Sequence, residues 1–150
     1  MTKGFYEYGA DREERMADAK CGKNDDDNAY FFLFGLGPVF ALVLHEQFGY
    51  PILVLHDAER EPAFTAAAPV ICKKMDGDVR YFIDACGITD SEETFLEAFE
   101  DYCIDTPVYD RIDPAKLEKD MLELVGKSCY TKYKKQARAL IRKFRHYYTL

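Results

Sequence analysis

Gly37-Pro38-Val39-Phe40-Ala41-Leu42-Val43-Leu44-His45-Glu46-Gln47-Phe48-Gly49 is the stretch whose reading decides the fold. Pro38 stands where a first helical turn tolerates a missing amide, and Gly49 where a left-handed residue stops a helix. Between them Ala41, Leu42, Leu44, Glu46 and Gln47 are good helix formers. Phe40, Ala41, Leu44 and Phe48 share a face, with Val39 and Val43 beside it, so this helix is expected to be buried on most sides. It opens a longer organising stretch, Gly35 to Gly87, in which a polar loop from Asp57 to Thr65 separates elements that read as strands.

Tyr50-Pro51 turns the chain into Ile52-Leu53-Val54-Leu55-His56, a short apolar run that fits a buried strand. Asp76-Gly77 lies between Val70-Ile71-Cys72-Lys73-Lys74 and Arg80-Tyr81-Phe82-Ile83-Asp84. An Asp-Gly pair suits a two-residue hairpin turn whose central residues take positive φ. That turn would set Val70 against Ile83, Cys72 against Tyr81 and Lys74 against Val79 on one face. On the other, Pro69 would meet Asp84, Ile71 would meet Phe82 and Lys73 would meet Arg80.

Outward from this region the chain reads mostly as helices and loops. Asp11 to Lys20 fits a short polar helix, Gly22 to Asn28 an exposed loop, and Ala29 to Gly37 is too uniformly apolar to assign. Asp90 or Ser91 caps a helix carrying Phe95, Leu96 and Phe99, ended by Asp105-Thr106-Pro107. Asp113-Pro114 starts another that carries Leu117, Met121, Leu122 and Leu124 and stops at Gly126. Ser128 to Tyr147 fits an amphipathic helix with Tyr133, Ala137, Leu140, Ile141 and Phe144 on one side and basic residues on the other. The expectation is one α+β domain over residues 1–150: a central helix on a small, mainly antiparallel sheet, with further helices after it.

Composition narrows the function classes. Eleven Phe and eleven Tyr among 150 residues make a real core affordable and disorder a poor description of the bulk. No apolar run reaches bilayer length and the first residues lack the apolar stretch of a secretion signal, so a cytoplasmic location with no membrane contact is expected. Cys21, Cys72, Cys86, Cys103 and Cys129 are odd in number and lack CxxC spacing, which argues for reduced thiols and against a zinc knuckle. Net charge is −7, yet residues 129–150 carry seven Lys and Arg and no acid, which leaves −14 on residues 1–128. Such a body disfavours general nucleic-acid binding and favours a protein partner with a basic surface. Asp25, Asp26, Asp27, Asp57, Glu59, Glu61, Glu92 and Glu93 are the candidate contacts. The basic helix, with Lys134, Lys135, Arg138 and Arg142 interleaved with Tyr130, Tyr133, Tyr147 and Tyr148, could instead hold single-stranded nucleic acid, or fold against the acidic body of its own chain.

No phosphate loop, dinucleotide fingerprint, HExxH or EF-hand spacing occurs, so no cofactor or metal is expected. The segments Phe40-Ala41-Leu42-Val43-Leu44-His45-Glu46, Gly49-Tyr50-Pro51-Ile52, Pro69-Val70, Asp76-Gly77 and Ile83-Asp84-Ala85-Cys86-Gly87 resemble a group of small bacterial and phage proteins with a papain-like, cysteine-peptidase-like core. The resemblance covers residues 37 to 87. It implies a nucleophilic cysteine at the start of the central helix, a histidine opening the second strand, and an acid that orients it. Here Leu36-Gly37-Pro38-Val39 offers no nucleophile and Pro69 occupies the histidine position. Only Asp84 matches.

The sequence therefore favours a frame without its catalytic residues: a pseudoenzyme acting as an inhibitor or regulator, of the kind a phage or mobile element would carry. The alternative is a thiol-dependent hydrolase or transferase using Cys86 with His45 or His56 and Asp84. Buried thiols are usually inert, and Cys72, in a strand-like run, reads as a small buried hydrophobe.

Overall fold

The computed structural model describes residues 37–58, 70–85, 87–97 and 104–149. Helix α1 spans Gly37–Phe48, and Pro38 through Leu44 are all buried, as its apolar composition requires. Gly49 takes φ +73° and donates its N–H to the His45 carbonyl at 2.8 Å, the left-handed stop that glycine makes without steric cost.

Strand β1 (Ile52–Asp57) follows, then β2 (Val70–Asp76), β3 (Val79–Asp84), the short β4 (Gly87–Thr89) and β5 (Pro107–Arg111). They form one sheet in the order β4-β3-β2-β1-β5, with every neighbouring pair antiparallel. The α+β class and the antiparallel sheet are as the sequence indicates. β1 is an interior strand, flanked by β2 and β5, and nearly continuous in its burial, which explains its run of apolar residues.

The hairpin differs from expectation by one residue in its turn. Asp76 pairs with Val79, so the two loop residues are Gly77 and Asp78, and Gly77 takes φ +61°. The favoured two-residue turns need positive φ at their first central position, which glycine accepts more readily than the Asp76 of the expected placement. Cys72 consequently faces Ile83 and Lys74 faces Tyr81. Each side chain keeps its face because the slip along the partner strand is two residues. The same register continued by one pair sets Ile71, not Pro69, across from Asp84.

Alternation along the strands gives the sheet two buried faces. Ile52, Cys72 and Ile83 share the face toward α1, where the Cys72 thiol donates to the Ala41 carbonyl at 3.5 Å. Leu53, Ile71 and Phe82 lie on the other. There Phe82 stacks on Phe95 of α2 (Glu92–Glu97) at 4.9 Å and 12°, and Tyr109 of β5 packs against both rings. Stacked and tilted aromatic pairs add about 0.5–1.5 kcal/mol each beyond their burial.

Helix α3 (Pro114–Val125) starts with Asp113 extended and Pro114 in its first turn. It buries Leu117 and Met121, while Leu124, expected on the same face, sits at its margin and is exposed. Gly126 separates it from α4 (Lys127–Lys143), which buries Tyr130, Ala137, Leu140 and Ile141 and leads into a 3-10 turn at Arg145–Tyr147. Both helices pack against α1.

Candidate functional site

Asp84 ends β3 and is buried. Ala85 follows it, and the Ala85 carbonyl accepts the Tyr148 hydroxyl at 2.8 Å. The Tyr148 ring meets Phe40 edge-on, 5.4 Å between centroids, and its own carbonyl accepts the Tyr50 hydroxyl at 2.8 Å. One fully buried tyrosine thus ties the first turns of α1 to the β3–β4 turn and to the residue that follows the helix stop. The helix start and strand end that the resemblance would assign to a thiol and its acid are joined by a phenol side chain.

The thiol alternative gains no assembly among the described residues. Cys86 lies outside them. His45 is half-buried with its ring Nδ1 2.9 Å from the Tyr50 carbonyl oxygen, and adjacent Glu46 points elsewhere, to α4. His56 sets Nδ1 3.0 Å from the Asp57 carbonyl oxygen and Nε2 2.5 Å from Asp110 Oδ2. The Asp110 contact clips β1 to β5 through the His56 ring. Cys72 is sealed against Ala41, and burial pushes its thiol well above the ordinary range, which withdraws it from nucleophilic chemistry.

Of the acidic candidates, Asp25, Asp26, Asp27, Glu59 and Glu61 lie outside the described residues. Asp57 is not a surface contact: it is buried at the end of β1, and its carboxylate accepts the Asp105 N–H at 3.5 Å. It ends a strand both of whose faces are covered, so its carboxylate holds the chain entering β5. Glu92 is also engaged, by Arg80 at 3.4 Å and by the Tyr109 hydroxyl at 3.3 Å. Burial first, and the Glu92 charge second, raise the Tyr109 pKa. Glu93 is exposed to solvent.

The basic helix divides into two flanks. Lys134 Nζ lies 2.5 Å from Glu46 Oε1 and 3.7 Å from Glu118 Oε2, and Arg138 reaches Glu46 Oε2 at 3.3 Å. Glu46 on α1 therefore anchors two of the four candidate cations to the body. Glu118 also accepts the Tyr130 hydroxyl at 3.0 Å, and burial followed by that hydrogen bond raises the Tyr130 pKa. Lys135 and Arg142 stand on the exposed flank. Of the tyrosines expected to interleave with the cations, Tyr130 and Tyr148 are buried and Tyr133 is half-buried. Tyr130 falls on the same helical stripe as Ala137 and Ile141, so the period that builds the core also removes it from solvent.

A cleft of about 240 Å³ opens beside β5, between Val54, Asp110, Ile112, Lys116, Leu117 and Asp120. It is smaller than the roughly 300–1,000 Å³ typical of small-molecule sites. Among the described residues no group of three His, Cys, Asp or Glu side chains is placed to hold a metal ion, and no helix is long and apolar enough to cross a membrane.

Two residues organise these places in roles that the sequence does not assign to them. Tyr148 carried no signal beyond being one of several tyrosines near basic residues. Glu46 carried one: it is the single acid of α1, in a chain that also contains an unusually basic helix. Comparison with family models, curated proteins and solved structures finds no match for this chain.

Proposed function

We propose that this chain is a non-catalytic interaction protein, an inhibitor or regulator that binds a protein partner through a basic surface of that partner. The observation that carries the reading is the Tyr148 bridge: where a catalytic helix start would be kept open, a buried phenol packs on Phe40 and bonds to Ala85. The one described thiol near α1, Cys72, is sealed inside. The charge of −14 on residues 1–128 supplies the complement to a basic partner. Descent from a papain-like enzyme carried by a phage or mobile element rests on the motif resemblance, in which Asp84 matches and Pro69 stands at the histidine position. The pairing of Pro69 with Asp84 that the hairpin was expected to make is not among its supports, since Ile71 stands there.

The test is capture of partners from a cytoplasmic extract by the immobilised chain at low and at high ionic strength, with mass-spectrometric identification. The expected result is a specific partner with a basic face whose capture weakens as salt rises. Capture indifferent to ionic strength, or rapid labelling of one cysteine by a mechanism-based peptidase probe, would overturn the reading.

A further inference from the structure

The structure assigns a second interaction surface that does not depend on the reading above: we infer that the exposed face of α4 binds the phosphate backbone of nucleic acid. No acid follows Glu123 in the sequence. The buried residues Tyr130, Ala137, Leu140 and Ile141 fix which side of α4 meets solvent, and Lys132, Lys135 and Arg142 lie on that side, all exposed. At 1.5 Å rise per residue these three cations span about 15 Å of helix.

Among the described residues, ion pairs with the body reach only part of the basic helix. Glu46 and Glu118 engage Lys134 and Arg138 on one flank. Lys132, Lys135 and Arg142 have no ion pair among the described residues. Among the described residues, the ion pairs of this helix lie on the Lys134 and Arg138 flank.

The chemistry of the face selects the partner. Protein interfaces centre on apolar or aromatic anchors and are poor in lysine. This face carries Ser128, Thr131 and Ala139 beside its cations, and among the described residues the large exposed apolar side chains, Met75, Val79 and Leu124, belong to the β2–β3 hairpin and to α3. A phosphate chain needs no such anchor, since its affinity comes from cation contacts and counterion release. A bilayer fits less well because the apolar side of α4 is already packed in the core and has nothing to insert. Tyr130 and Tyr148 are turned inward and offer no ring to a base, and the three cations contact phosphates, so binding is set by charge.

Fluorescence polarisation of the full chain with a labelled duplex DNA and a labelled single-stranded RNA, each at several salt concentrations, tests this. Both should bind, with log K falling linearly in log salt at a slope of about −2 to −3 on DNA for three phosphate contacts. Each single change among Lys132→Ala, Lys135→Ala and Arg142→Ala should reduce that slope by about 1. The triple charge reversal K132E/K135E/R142E should abolish binding while circular dichroism stays unchanged, and Lys119→Glu on α3 should leave binding intact. No binding at low salt, full binding by the folded triple variant, or retention on anionic vesicles alone would each overturn the inference.

Discussion

The Tyr148 hydroxyl donates to the Ala85 carbonyl at 2.8 Å, across a sequence separation of 63 residues. That bond joins the segment after α4 to the turn between β3 and β4, and the residue that makes it is fully buried. Tyr148→Phe should therefore cost about 1–2 kcal/mol, the price of leaving a buried carbonyl without its donor. Tyr148→Ala should cost about 3–5 kcal/mol because it also empties the space against Phe40. Urea unfolding at constant m-value measures both; equal stability of Tyr148→Phe and the parent chain would show that water replaces the hydroxyl.

Thiol reactivity should separate the two described cysteines. Cys129 is exposed and Cys72 buried with its thiol donating to Ala41. In native buffer, Cys129 is expected to label with a small disulfide reagent at the rate of an open thiol. Cys72 should label only as fast as the chain unfolds. Peptide mapping over time distinguishes them, and early modification of Cys72 would mean that α1 and β2 part easily.

Glu46 receives both Lys134 and Arg138, so its removal should be felt as a coupled loss. The carboxylate is partly exposed, which limits the effect: a Glu46–Lys134 double-mutant cycle should give a coupling of about 0.2–1 kcal/mol, smaller at high salt. A coupling that persists undiminished in concentrated salt would mark the pair as shielded from solvent.

Alkaline stability follows from groups whose acid form the fold prefers. Burial raises the pKa of the Cys72 thiol above its ordinary 9.0 and those of the Tyr50, Tyr109 and Tyr130 phenols above 10.0. The unfolded chain loses these protons first, so it binds fewer protons than the native state and stability falls with rising pH. The contribution is intact below about pH 9 and declines above it, from the thiol first and then from the tyrosines. Thermal midpoints from pH 7 upward, read beside tyrosinate absorbance, check the sign; a midpoint that rises between pH 9 and 11 would contradict it.

How much of this was legible in the sequence depends on whether the signal was local. Pro38 and Gly49 bracket α1, and Pro114 and Gly126 bracket α3, because caps and stops are written within a turn of where they act. The apolar run of β1 announced a buried strand. β4 and β5 were not foreseen: Gly87–Thr89 is too short for alternation to register, and Pro107 was read as the end of a helix although proline also suits a strand's first residue. The site was less legible than the fold. Asp57 and Glu92 carry no mark distinguishing a carboxylate that holds Asp105 or Arg80 from one offered to a partner. The pairing of Glu46 with Arg138 joins residues 92 positions apart, and only tertiary packing brings them together.

The β2–β3 hairpin has one further implication. A two-residue slip leaves the same side chains inside and outside, so the alternation of the strands does not by itself choose between the foreseen pairing and the observed one. The choice is made by Gly77 and its positive φ. Which residue stands beside Asp84 is thus encoded at the far tip of the hairpin, and altering that tip offers a way to edit the neighbourhood of a buried carboxylate without changing any residue that surrounds it.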